Sequence, residues 1–284
     1  METAPRLTIG VIGAGRVGST LAIALSNHHN VTHVHTTSEN FKIRLSKEIP
    51  GLKFSDIETI INECQTVLFA VPDDELPGLI QGIASTIGFQ PQQFVIHTSG
   101  RFGIDVLLPA RSQGAIGFAI HPVMTLTGRS EDHNRLHECP YVITCEKEHE
   151  PIAATLVITL GGVEFFVKEE DRARYHAALA HASNHLNTII QESKKELADI
   201  GIQQPELLLE PLVMASVENA LLSGIDLLTG PISRGDSETI RAHIVSLSDS
   251  PMLETYKSLA LATLSKVRGK LEETEIEAIE RVLQ

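Results

Sequence analysis

Three glycines, Gly13, Gly15 and Gly18, follow an apolar run at 7–12 and open a helix of small residues. That arrangement is suited to holding a pyrophosphate. The first glycine permits a tight turn, the second lets the backbone approach the phosphates, and the third allows the helix to pack closely on the strand, so that the helix N-terminus faces the anion. Gly13, Ala14, Gly15, Arg16, Val17 and Gly18 are therefore the expected phosphate contacts of a dinucleotide site.

A second set of residues is suited to proton transfer and anion binding. His121 ends an apolar run, and His176 opens a long helical pattern in which Ala180, Ser183 and Asn187 share its face and Asn184 lies nearby. Arg234 stands among small residues in the loop 229–236, where a planar guanidinium can clamp a carboxylate or a phosphate. The alternative for the polar helix strip is that it satisfies backbone groups at a domain or subunit junction. For Arg234 the alternative is an ion pair with Glu218, an acid in a very apolar helix. Asp236 reads as the N-cap of the next helix. His181 and His185 point away from the His176 strip and have no carboxylate or cysteine at suggestive spacing, so no metal site is expected.

The elements that must position these groups form two blocks. Up to residue 167 the chain alternates short apolar runs with loops and helices: runs at 7–12, 31–35, 66–71, 94–97, 115–120, 141–144 and 163–167 suggest seven or eight strands of a mostly parallel α/β sheet. Loops at the carboxyl ends of such strands line the ligand crevice, which brings in Thr36, Thr37, Ser38, Val71, Pro72, Asp73, Ser99 and Gly100 as cofactor contacts. Hydroxyls at 36–38, with Lys42 and Arg44 downstream, favour NADP over NAD, although Glu39 is near enough to reach a ribose. His28, His29, His33 and His35 are expected in a loop and on the solvent side of a strand. From residue 168 onward only helical patterns follow, at 175–200, 205–222, 236–247, 250–267 and 272–283. The helix at 205–222 is too apolar around its circumference for a surface position, so it is expected in a domain core or, preferably, in a homodimer seam. The expected organisation is thus an α/β Rossmann domain at 1–167 and an all-α domain at 168–284.

Composition bounds the partners. The 284 residues carry a formal net charge of −13, which speaks against binding a nucleic-acid backbone. No apolar run was expected to approach a bilayer span, and the stretch 1–6 has no apolar signal core. Cys64, Cys139 and Cys145 form no CxxC pair, as befits a reducing, cytoplasmic setting.

Taken in order, Gly13-Ala14-Gly15-Arg16-Val17-Gly18, His121-Pro122-Val123-Met124, Tyr175-His176-Ala177-Ala178 through Ser183-Asn184, and Thr229-Gly230-Pro231 through Arg234-Gly235-Asp236 carry a resemblance over nearly the whole chain. The sequence resembles a bacterial family that joins a Rossmann-like domain to a C-terminal helical domain of unknown function. That family lies in the 6-phosphogluconate dehydrogenase-like superfamily, which also holds ketopantoate reductase and pyrroline-carboxylate reductase. The resemblance implies an NADP-dependent reduction of a small 2-keto acid such as ketopantoate. An imine reductase and a non-catalytic nucleotide sensor are the alternatives. The chain departs from the ketopantoate reductase pattern in having no lysine early on the long helix, since Lys194 and Lys195 lie too far along it. His121 or His176 is then the expected proton donor, with Ser183 and Asn184 orienting the substrate and Arg234 binding its carboxylate.

Overall fold

The computed structural model describes residues 6–284, all but Ser130 with their side chains. The N-terminal stretch 1–5, most of the segment read as lacking a signal core, lies outside the described residues. The chain divides into two compact units, one ending at Leu179 and the other running from Ala180 to Gln284.

In the first unit an eight-stranded sheet has the order β3-β2-β1-β4-β5-β6-β7-β8. Its elements are β1 (Thr8–Ile12), α1 (Arg16–Ser26), β2 (Asn30–His35), α2 (Glu39–Glu48), β3 (Lys53–Phe54), α3 (Ile57–Glu63), β4 (Thr66–Phe69), α4 (Leu76–Thr86), β5 (Phe94–His97), α5 (Leu108–Arg111), β6 (Ile116–Pro122), β7 (Pro140–Cys145), α6 (Glu150–Thr159) and β8 (Val163–Phe166). Strands β1 to β6 are parallel, β7 runs antiparallel to β6, and β8 pairs parallel with β7. The mostly parallel α/β sheet is therefore as the strand pattern implied. β3 carries only two residues, too few to leave a periodic trace in the sequence.

Alternation along the strands sends side chains to two cores. Ile9, Val11, Leu68, Ile96, Phe118 and Tyr141 join α1 and α6 on one face, while Ile12, Val67, Phe69 and Val95 join α3, α4 and α5 on the other. The chain leaves β1 in one direction across the sheet and, after β3, returns on its other side through β4. This reversal opens a crevice at the carboxyl ends of β1 and β4. Two histidines expected near solvent are in fact buried: His29 and His33. His33 lies under the β2 surface with its Nδ1 2.9 Å from Thr32 Oγ1, and its Nε2 is 3.4 Å from Glu63.

The boundary between the units falls later than residue 167. After β8 the chain turns into α7 (Arg172–Ala180), and Arg172 at its start is buried among loops of the sheet, so the first turns of this helix belong to the first unit. The long helix expected at 175–200 is interrupted: a π-helical turn at His181–His185 joins α7 to α8 (Leu186–Asp199). A π turn holds an extra residue, so faces assigned at 100° per residue do not carry through it.

The second unit continues with α9 (Pro205–Ser223), α10 (Ser237–Ser246), α11 (Met252–Val267) and α12 (Glu273–Leu283). Ile240, Ala260, Leu264, Ile276, Ile279 and Leu283 form its core. Asp236 caps α10 as expected, accepting from the Thr239 N–H at 3.0 Å. Ser250 stands just before the Pro251 cap of α11, and its Oγ accepts the Met252 N–H at 3.0 Å. α9 does not lie in a core of its own chain, the first of the two positions expected for it: Leu207, Leu208, Leu212, Met214, Leu221 and Leu222 are all exposed. The stretch Pro205–Arg234 is also long and apolar enough, by length and composition, to cross a membrane, one 18-residue window in it having mean hydropathy 1.3, contrary to the expectation that no run approaches that length.

Candidate active site

The glycine turn is shaped by two close approaches and one opening. Gly13 has φ +88°, and a Cβ there would lie 2.7 Å from the Ala70 carbonyl oxygen; a Cβ at Gly18 would lie 2.4 Å from the Gly13 carbonyl oxygen. Both positions exclude a side chain for reasons internal to the fold. Gly15 does not: a Cβ there meets nothing within 4 Å. Its bareness leaves space in front of the N-terminus of α1, where free N–H groups favour an anion.

The other expected contacts lie at the same sheet edge, because they follow the parallel strands β2, β4 and β5: Thr36, Thr37 and Ser38, then Val71, Pro72 and Asp73, then Ser99 and Gly100. Of the two cations downstream of β2, Lys42 pairs with Glu39 at 2.6 Å. Arg44 reaches back to the carbonyls of Gly128 at 2.5 Å and Arg129 at 3.1 Å, and its Nε is buried with no partner among the described residues. The Arg16 side chain also abuts Gly128, so two guanidinium-bearing side chains converge beside the start of α1. Ser99 is committed to its own loop: its Oγ accepts from the N–H groups of Arg101 and Phe102, each at 3.1 Å.

Further along this edge lies a cluster that only folding assembles. His121, in β6, has its Nδ1 2.7 Å from the Tyr175 hydroxyl, and its ring stands edge to face with that of His176, centroids 6.2 Å apart. Gly100 makes room for both imidazoles, since a Cβ there would lie 2.7 Å from His176 Cδ2 and 3.0 Å from His121 Nε2. Burial, the Arg172 charge and His176 together pull the His121 pKa down to about 4. His121 is thus a neutral imidazole at ordinary pH. The phenol is the more acidic partner, so Tyr175 donates and His121 Nδ1 accepts. Burial pushes the Tyr175 hydroxyl up to about 12, against the opposing pull of Arg172.

Arg172 supports this cluster from beneath. Its guanidinium is 1 % exposed and donates to three main-chain carbonyls: Nε to Phe102 at 2.9 Å, Nη1 to Val142 at 3.3 Å and Nη2 to Ser99 at 2.5 Å. Its Cζ lies 5.5 Å from the Tyr175 ring centroid. His97, fully buried at the end of β5, is fixed as one tautomer: Nδ1 accepts the Ser99 N–H at 3.2 Å, and Nε2 donates to the Gly103 carbonyl at 2.8 Å. Burial is the main cause that holds its pKa at about 4.

The structure therefore brings His121 and His176 together and adds Tyr175, Arg172 and His97. Tyr175 is by residue type an ordinary helix position, and Arg172 is one of several charged residues before a helix, so neither is marked by the local sequence. Position within the pattern cannot reveal a buried cation; only the burial around it can. Ser183 and Asn184 belong to the second unit, both exposed in the π turn. Arg234 is exposed there in the short helical turn Ile232–Arg234. The expected Glu218 to Arg234 ion pair is not formed among the described residues; Glu218 is exposed on α9 and needs no partner. His181 and His185 face each other, Nδ1 to Nδ1 at 2.8 Å.

Comparison with known proteins is informative at the level of the fold. Residues 2–122 match the Rossmann-like domain family, and residues 139–263 match a domain of unknown function, DUF2520, which begins at β7. No match was found among curated protein sequences. Among solved structures, a Bacteroides fragilis protein assigned as an NADP oxidoreductase has 21% identity and TM-score 0.76, covering 92% of this chain and 98% of its own. A reductive aminase from Aspergillus terreus in complex with NADPH and ethyl-5-oxohexanoate has 13% identity and TM-score 0.71, covering 98% of this chain and 99% of its own. A pyrroline-5-carboxylate reductase from Coxiella burnetii has 14% identity and TM-score 0.55, covering 98% and 97%.

The neutral imidazoles give the fold a defined acid sensitivity. In the unfolded chain His97 and His121 take up protons near 6.5, whereas in the folded protein they do so only at about 4. Their contribution to stability is therefore complete above about pH 6.5 and is lost as pH falls towards 4. The expected loss is on the order of 1–3 kcal/mol for each imidazole. Thermal unfolding followed between pH 7 and pH 4.5 checks this: Tm falls through the window in the wild type and falls less steeply in a folded His97→Gln variant, whereas equal slopes contradict the assignment.

Proposed function

We propose that the protein is an NADP-dependent oxidoreductase that reduces a small 2-keto acid, of which ketopantoate is a representative. The observation that carries the reading is the Tyr175–His121 hydrogen bond at the edge of the glycine crevice. The cofactor, when bound, supplies the hydride. Gly13, Ala14, Gly15, Arg16, Val17 and Gly18 would hold its pyrophosphate, supported by the opening at Gly15 and the free N-terminus of α1. Arg16 and Arg44, converging at Gly128, supply positive charge suited to a 2′-phosphate, which supports NADP over NAD; the NADPH complexes among the structural neighbours point the same way. NADPH is expected to bind more tightly than NADH in a fluorescence titration, and Gly15→Asp is expected to abolish binding in a folded protein. Undiminished affinity in that variant contradicts the site.

Reduction of a carbonyl leaves a basic alkoxide oxygen that must be protonated. Tyr175 holds its proton at neutral pH; its O–H would turn from His121 Nδ1 to the alkoxide and transfer the proton there, leaving a tyrosinate beside Arg172 that solvent reprotonates. This moves the role of donor from the two histidines to the phenol; His121 orients it, and His176 lies beside the pair. Ser183 and Asn184 orient the substrate in this reading, and Arg234, exposed and free of any ion pair among the described residues, binds its carboxylate. Oxidation of NADPH in a panel of 2-keto acids and cyclic imines tests the reading. Tyr175→Phe is expected to lower kcat by about 100-fold or more while leaving NADPH affinity unchanged. Turnover of imines alone would favour a second reading, an imine reductase, which the reductive aminase and pyrroline-carboxylate reductase folds support. Binding of NADPH without any turnover would favour a sensor.

The same proposal includes a homodimer through the helical unit. α9 leaves Leu207, Leu208, Leu212, Met214, Leu221 and Leu222 exposed, large apolar side chains that an interface would cover. Glu206, Glu210 and Glu218 lie on the same helix, which suits a rimmed protein interface better than a lipid environment. Light scattering is expected to give twice the chain mass, and Leu212→Glu with Leu221→Glu to give the monomer. A concentration-independent monomer in the wild type removes the seam.

A further inference from the structure

Arg172 is the one fully buried cation among the described residues, and no carboxylate lies within ion-pair distance of it. Buried charges are rarely left without an opposite charge, because the desolvation penalty is several kcal/mol for each ion. Here the guanidinium is held by the carbonyls of Ser99, Phe102 and Val142, which come from two segments of the first unit. Carbonyl dipoles stabilise a cation without cancelling its charge. The field of the guanidinium therefore reaches the groups packed around it.

Those groups are few and can be named. Tyr175 and His176 face the site from α7, His121 from β6 and His97 from β5; Asp73 and Glu169 are the acids close enough to act on Arg172 through space. Glu169 is itself engaged by the Ile104 N–H at 2.6 Å. The imidazole of His121 is neutral, held so first by burial and then by Arg172. Beside the Tyr175 hydroxyl there is thus a fixed positive charge and an uncharged imidazole, and neither Asp73 nor Glu169 forms an ion pair with the guanidinium.

We propose that Arg172 is a positioning residue that sets the charge this site accepts at the reacting atom, favouring a carbonyl, whose oxygen becomes negative during reduction, over an iminium, which is positive before it. The inference rests on the reading of the site as a reductase with Tyr175 as proton donor. Arg172 does not touch the substrate. It acts through Tyr175, whose ionisation it eases, and through the potential it imposes on the crevice. The same residue fixes the 98–103 loop to β7, so its charge and its hydrogen bonds must be separated by the choice of variants.

Arg172→Gln keeps amide donors and removes the charge, whereas Arg172→Lys keeps the charge and loses the planar fork. Ketopantoate and 2-methyl-1-pyrroline serve as the carbonyl and iminium probes, with NADPH oxidation as the readout and thermal unfolding to verify the fold. The wild type is expected to prefer ketopantoate in kcat/KM. In Arg172→Gln that preference falls at least 10-fold, mainly through kcat, and Arg172→Lys retains most of it. Nuclear magnetic resonance titration of His121 in the protein without substrate gives a second measure: its midpoint rises in Arg172→Gln and stays near the wild-type value in Arg172→Lys. A folded Arg172→Gln protein with an unchanged ratio overturns the role of Arg172 alone. Absence of turnover with both probes in the wild type overturns the reductase reading, and the selectivity with it. If neither variant folds, the wild-type ratio still decides, since a preference for the iminium probe contradicts a site built around a fixed cation.

Discussion

The guanidinium of Arg172 is the point at which the sheet, the loop after β5 and the first turn of α7 are tied together. A buried guanidinium cannot give up its proton, and each N–H left without an acceptor would carry the full penalty of desolvation. The surrounding backbone is therefore obliged to present carbonyls to it, and Ser99, Phe102 and Val142 do so. That requirement fixes the path of the 98–103 loop. His97 fixes it a second time, accepting at one ring nitrogen and donating at the other within the same loop. This loop carries Gly100 and α7 carries Tyr175 and His176, so the same contacts help to bring them beside His121 of β6.

The glycines divide by the same physical reasoning. Gly13 and Gly18 are bare because backbone atoms of the fold stand where a side chain would be, and Gly100 is bare because two imidazoles do. Gly15 is bare with nothing opposite it. Packing within the chain therefore does not require a glycine at this position, unlike its two neighbours in the turn. The electrostatics are consistent with an anion there: the first turn of α1 carries no acid, and Arg16 and Arg44 approach from the flank.

The second unit follows another rule. Its core is built by α10, α11 and α12, with the His243 to Tyr256 hydrogen bond at 2.8 Å at its side. α9 contributes little to that core and leaves its leucines exposed. Pro211 lies inside α9 and removes one backbone donor there without ending the helix. The π turn at His181–His185 separates α7, which belongs to the sheet unit, from α8, which belongs to the helical one, and so the change of helical pitch coincides with the change of unit.

Much of this was legible in the sequence, and for a definite reason. Strands buried on both faces write continuous apolar runs, glycine turns write their spacing, and a helix cap such as Asp236 writes its residue type, because each depends on neighbours within a few positions. The mostly parallel sheet and the reversal that opens a crevice at its carboxyl edge were determined in that way. What depended on distant neighbours was not written locally. Nothing in the local pattern marks Tyr175, and its hydroxyl acquires a partner only when β6 is brought alongside α7. Arg172 looked like a solvated charge before a helix, and the burial of His29 and His33 was equally hidden in a run of histidines. The helical phase across 181–185 failed because the pitch changes there, and the pairing imagined for Glu218 failed because α9 is exposed. Short-range regularity determined the elements and their order; burial, and with it the lowered pKa of His97 and His121, was decided only by the packing of segments far apart in the chain.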